Sequence, residues 1–164
     1  MAKLVMRSKK KAFMEVETGN FERMKGFTAL TTNKNPAEYT RKYVDESFET
    51  TDIVGMSTSI DYEFDQMLEN AVHDKIIDIT ESEKLGDDAV VSILVVDFTQ
   101  SEVGGGYRAV KRDFAVVPST DGDGTNAYQY AGTFRVKGER VEGVATSEDD
   151  FEKTCTFVAD GAGI

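Results

Sequence analysis

The stretch Ser57-Thr58-Ser59-Ile60-Asp61-Tyr62-Glu63-Phe64-Asp65 alternates apolar and acidic side chains from Ile60 to its end. An extended chain sends successive side chains to opposite faces, so Ile60, Tyr62 and Phe64 share one face while Asp61, Glu63 and Asp65 share the other. A period of two marks a β-strand with one face against a core. Carboxylates spaced about 7 Å apart along a strand repel each other mildly, and folding alone does not ask for them. The acidic face is either an ordinary solvated surface or one whose sign is put to use.

Working outward, strand signals rich in β-branched and aromatic residues recur at 27–32, 39–44, 57–64, 89–98, 107–117, 128–136 and 154–158. Turn-rich pieces separate them, namely Asn33-Lys34-Asn35-Pro36, Gly104-Gly105-Gly106 and residues 118–124. One segment departs from this pattern: Val72, Ile76 and Ile79 fall at i, i+4 and i+7, which predicts a helix over about 70–84. Asn70 suits its N-cap and Gly86 its C-terminal stop. The run from Ala89 to Val96 is apolar on both faces, as a central strand packed on two sides is. The chain reads as mainly β, with one helix covering a sheet.

At 164 residues the chain suits one domain, and no internal repeat or long low-complexity tract divides it. Residues 1–20 read as a basic N-terminal arm, with residues 21–164 as the folded body. Lys3, Arg7, Lys9, Lys10 and Lys11 give the arm its charge. These five of the 19 Lys and Arg leave 14 against 30 acids in the rest, a net −16 there against −11 for the whole chain. A body of that sign repels nucleic-acid phosphates, which binding proteins attract through Lys and Arg. The arm either docks on another copy by opposite charge or stays solvated. No apolar run approaches the roughly 18 residues of a membrane span, and no signal-peptide core is expected near the start.

Candidate chemistry is sparse. Nucleophilic catalysis needs a base in reach, yet the chain has one histidine and one cysteine and no G-x-S-x-G elbow. His73 lacks a second histidine for a zinc pair and is expected on a helix surface. Cys155, in Thr-Cys-Thr-Phe-Val, is expected as a small core hydrophobe in a reducing compartment. Residues 119–125 begin like a calcium loop, but Gly132 stands where the bidentate Glu is needed. The triple glycine at 104–106 lacks the Lys-Ser/Thr of a phosphate-binding loop. Neither an enzyme nor a cofactor or metal site is expected.

Residues 26–46 (GFTALTTNKNPAEYTRKYVDE) resemble the start of tail tube proteins of long-tailed bacteriophages, especially those of Gram-positive hosts. Thr51-Asp52-Ile53-Val54-Gly55, Ser59-Ile60-Asp61-Tyr62, Val72-His73-Asp74-Lys75-Ile76 and Lys111-Arg112-Asp113-Phe114-Ala115-Val116 continue the similarity in order. This resemblance implies a β-sandwich or rolled barrel with one flanking helix. It also implies homohexameric rings stacked into a tube, with tape measure protein and tail terminator as partners. DNA would pass the lumen without specific binding, and the chain would belong to the virion tail after synthesis in the host cytoplasm. Asp61, Glu63 and Asp65 would then line the lumen, and Tyr39, Tyr43 and Phe48 would serve ring stacking or subunit contact. A tube of a related injection or secretion apparatus is the rival within this fold, and a free β-sandwich binding module or enzyme is the rival outside it.

Overall fold

A computed structural model describes residues 2–123 and 126–161. In chain order its elements are β1 (Lys10–Glu17), β2 (Asn20–Arg23), β3 (Phe27–Asn33), β4 (Pro36–Arg41), β5 (Thr50–Met56), β6 (Ser59–Asp65), α1 (Ala71–Glu81), β7 (Val90–Ser101), β8 (Tyr107–Asp123), β9 (Tyr128–Val136), β10 (Val141–Thr146) and β11 (Thr154–Ala159), with short 3-10 turns before β1 and β7. A nine-stranded sheet runs β10-β11-β2-β1-β7-β8-β9-β6-β3, while β4 and β5 form a separate pair.

The 17-residue β8 organises the sheet. Its first half pairs with β10, from Tyr107↔Ala145 to Lys111↔Val141, which rolls β10-β11-β2-β1-β7-β8 into a closed barrel. Its second half pairs with β9, from Phe114↔Val136 to Asp123↔Tyr128, and carries the wing β8-β9-β6-β3. Closure removes edges within the barrel and leaves β3 as the wing's open edge. The expected turn over 118–124 is therefore strand as far as Asp123; the missing N–H of Pro118 falls at a bulge between Pro118 and Thr120, where a ladder tolerates it. Gly124 of that turn, with Thr125 after it, lies outside the described residues.

Two cores share the central strands. Phe13, Leu94 and Val96 enter the barrel interior with Phe21, Phe151 and Cys155. Their neighbours Met14, Val91 and Ile93 face the other way, into a core with Ile60, Tyr62, Phe64, Phe134 and the helix. This accounts for the apolar run on both faces of β7. It also changes the extent of the arm: residues 10–17 are a central strand registered Phe13↔Leu94 and Met14↔Ile93 against β7. Two adjacent side chains each fully buried in a different core hold that segment in the body, so only the residues before Lys10 are free of the sheet.

The helix follows its sequence signals at the start and departs from them at the end. Asn70 Oδ1 accepts from the N–H groups of Val72 and His73, both at 3.1 Å, and caps it. It stops before Gly86: Glu83 takes a left-handed φ of 49°, with Glu83 N–H donating to Thr80 O at 3.3 Å and Lys84 N–H to Ile79 O at 3.1 Å. His73 is not on the surface but fully buried. One turn from Ile76 it shares the apolar face, stacked on Phe64 with centroids 4.2 Å apart.

Gly132 shows why an alternating aromatic strand needs a glycine. A Cβ there would come within 2.6 Å of Val117 O and 2.7 Å of Tyr62 Oη. Tyr62 lies directly opposite on β6 and lays its ring over the gap, stacked on Phe134 at 4.4 Å.

Candidate functional site

The hairpin of β4 and β5 is a continuation of the one made by β3 and β6. Asn33↔Ser59 and Pro36↔Met56 obey the same register, so one long hairpin runs on across an interruption at residues 34–35 and 57–58, with register shifts near Thr28 and after Ala37. Asn35 makes the break: it takes a left-handed φ of 45°, which asparagine tolerates, and its Nδ2 donates to Ser57 O at 2.9 Å and Ser59 Oγ at 3.1 Å. Beyond the break β4 and β5 pack essentially on each other alone, and every residue of both is exposed. Six or seven extended residues carry the hairpin roughly 20 Å out.

Such a projection would be expected to be polar, yet it carries Tyr39, Tyr43, Val44, Phe48, Ile53 and Val54, with Phe48 82% exposed and Ile53 61%. Tyr39 and Tyr43 thus do not turn inward. The strand expected at 39–44 is displaced to Pro36–Arg41, and Tyr43 and Phe48 sit in the loop at the tip. Ile53, Val54 and Met56 escaped the sequence reading; the signal was the apolar pair within Thr51-Asp52-Ile53-Val54-Gly55.

Asp61, Glu63 and Asp65 stand on the outward face of β6, opposite the buried Ile60, Tyr62 and Phe64. Their neighbours across the ladders are small or uncharged: Thr31 and Thr133 flank Asp61, Ala29 and Ala131 flank Glu63, and Gln129 faces Asp65. Asp61 accepts from Asn33 Nδ2 at 2.9 Å and Thr133 Oγ1 at 3.1 Å, and Asp65 from Gln129 Nε2 at 2.7 Å. Among the described residues no cation pairs with any of the three. Amide and hydroxyl donors orient these groups without cancelling their charge.

Lys3, Arg7 and Lys9 lie in the exposed lead-in with Leu4, Val5 and Met6, where Leu4 is 87% exposed. Lys10 and Lys11 begin β1, and Lys11 lies over the Phe98 ring at 5.4 Å.

Elsewhere the titratable groups serve the fold. His73 Nδ1 accepts from Met67 N–H at 3.2 Å, which leaves the ring proton on Nε2 to donate to Lys25 O at 2.7 Å. Burial lowers its pKa below the ordinary 6.5, so this neutral tautomer persists. Burial pushes the Cys155 thiol up to about 12, far from a thiolate nucleophile. Among the described residues no group of His, Cys, Asp and Glu is arranged to hold a metal ion, and no helix is long and apolar enough to cross a membrane.

No family model and no curated protein matches this sequence. Among solved structures, the fold is similar to the tail tube of phage SPP1, determined by solid-state NMR and cryo-EM, with a TM-score of 0.60 and 16% identity over 91% of this chain and 84% of that one. It is also similar to a chain of the six-fold symmetrised baseplate of the anti-feeding prophage, with a TM-score of 0.53 and 8% identity over 87% of this chain and 97% of that one. At these identities the likeness is one of fold: a mainly β architecture of the phage tail tube type with one flanking helix.

Proposed function

We propose that this chain is a structural subunit of a phage tail tube, closing with five copies of itself into rings that stack into the conduit for DNA ejection. The observation that carries the reading is the exposed β4–β5 hairpin. Apolar area left in water costs about 25 cal/mol per Å², and several large apolar side chains exposed on one projecting element mark an interaction site. Here Tyr39, Tyr43 and Phe48 would bury against the next ring. The open β3 edge would meet a neighbour within the ring, completing by assembly the closure that the barrel achieves alone. The likeness to a solved tail tube supports this use of the fold.

In this reading Asp61, Glu63 and Asp65 line the lumen. Their uncompensated charge repels the phosphate backbone, and at physiological salt the repulsion reaches only about 8 Å. It therefore stops DNA from sticking to the wall without driving it along. The subunit performs no chemical step, resides in the virion tail after synthesis in the host cytoplasm, and meets tape measure protein and tail terminator as partners.

A second reading, a tube subunit of a tail-like injection apparatus, is favoured by the likeness to the anti-feeding prophage baseplate. Genes for a terminase and capsid beside this one would favour the phage tail; their absence would favour the injection apparatus. Electron microscopy of the purified protein tests what the two readings share. Hollow six-subunit rings or tubes are the expected result, and a chain that stays monomeric even when offered preformed tail tips would overturn both.

A further inference from the structure

A groove of about 630 Å³ runs beside β1 and β3. Its floor is apolar, from Met24, Phe27 and Leu30, and its walls bring together Arg7, Lys10 and Lys25. These cations are exposed, and among the described residues none has a carboxylate at ion-pair distance, although Lys10 stands opposite Asp97 on β7. Two further cations on the rim are engaged elsewhere, Arg23 with Glu152 at 3.9 Å and Lys11 over Phe98. A basic groove with an apolar floor is out of character for a chain of net charge −11.

The loop between β4 and β5 has the complementary chemistry. Tyr43, Val44 and Phe48 are exposed among Asp45, Glu46 and Glu49, none of which is ion-paired among the described residues, and with Lys42 as its one cation the loop keeps an acidic excess. Within one molecule the tip does not sit in the groove, since the hairpin packs substantially only on itself and Phe48 is 82% exposed. We infer that the acidic, aromatic tip of one copy seats in the basic groove of a second copy, with Phe48 on the Met24–Phe27–Leu30 floor and Asp45, Glu46 and Glu49 against Arg7, Lys10 and Lys25. Donor and acceptor are different surfaces, so the contact is head-to-tail and propagates instead of closing a pair. The inference rests on the proposed role of the hairpin in assembly and supplies its receptor.

Two experiments on the full chain test it. Reversing the groove (Arg7→Glu, Lys10→Glu, Lys25→Glu) or the tip (Asp45→Lys, Glu46→Lys, Glu49→Lys) should each slow assembly about tenfold or more, while the two reversals together restore it to within about threefold. Circular dichroism and melting identify the variants that stay folded, and folded variants with no mutual rescue overturn the docking. Independently, copies carrying Phe48→Cys mixed with copies carrying Leu30→Cys should become disulfide-linked in the assembled state. Buried Cys155 acts as a spectator. Tubes that form without this crosslink overturn the docking and leave the conduit reading intact. A crosslink in open chains that never become tubes supports the docking and removes the conduit.

Discussion

His73 and Phe151 show how single side chains hold this fold. His73 is neutral inside the protein because burial disfavours the imidazolium, so its folded pKa lies below 6.5 while the unfolded chain keeps the ordinary value. The unfolded state then binds the extra proton, and the stability present above about 6.5 is lost as pH falls toward the folded value. Melting temperature should drop between pH 7 and pH 5, and His73→Gln should flatten that slope in scanning calorimetry; an equal slope in the variant would remove His73 as the cause. Phe151 fills the barrel end, edge-on to Phe13, Phe98 and Tyr107 at 6.1, 5.1 and 5.6 Å, although it sits at a left-handed φ of 61°. Ser147 Oγ accepts its N–H at 2.9 Å, and Asp149 accepts the N–H groups of Lys153 and Thr154, so the loop holds the strained backbone in place. Phe151→Ala should cost about 3–5 kcal/mol in denaturant unfolding, and a loss under about 1 kcal/mol would show the barrel end to be loosely packed. Neither role was readable from the chain. A lone histidine on an amphipathic helix is ordinarily solvated, and no local pattern tells that a Phe after two aspartates turns inward.

At the scale of elements, the proposed role of the hairpin lets assembly be tested apart from stability. Replacing residues 36–56 with Asn-Gly keeps the Asn33↔Ser59 register and closes the remaining ladder with a two-residue turn. Melting should stay within a few degrees of the parent, because no buried residue is removed, while rings and tubes disappear from electron micrographs. Persistent tubes would show that stacking runs through other surfaces. Elements with clear periodicity were legible: β6, with its buried Ile60, Tyr62 and Phe64, and β7, with a core on each side. The missed strands each lack a period. In β1, Phe13 and Met14 bury on opposite faces behind a lysine cluster that looks like a solvated arm. In β10, Gly143 interrupts the pattern because a Cβ would collide with the Val158 carbonyl and Phe157 ring of β11. The projection of β4 and β5 was out of reach, since exposure of apolar residues is a property of the whole arrangement and not of the run.

For the whole molecule, charge placement carries the argument. The acidic face of Asp61, Glu63 and Asp65 was visible as alternation, and the structure leaves it without paired cations among the described residues. Changing all three to Lys should leave assembly intact, because their neighbours across the ladders are uncharged, and, if they line the proposed lumen, should impair DNA ejection by making that wall adhesive. The defect should shrink as salt is raised and the field is screened. Ejection at the parental rate in low salt would take the lumen assignment away. The groove opposite in sign was hidden from the sequence, because Arg7, Lys10 and Lys25 meet only when β1 and β3 come together.

The continuation of β3 and β6 into β4 and β5 has a mechanical consequence. A load applied at the hairpin tip enters the body along the axis of β6, which is laced to β9 from Ser59↔Arg135 to Asp65↔Gln129. Ladder bonds lie across that axis and resist sliding side by side instead of unzipping one after another. An assembly joined through these tips would meet stretching with its strongest response.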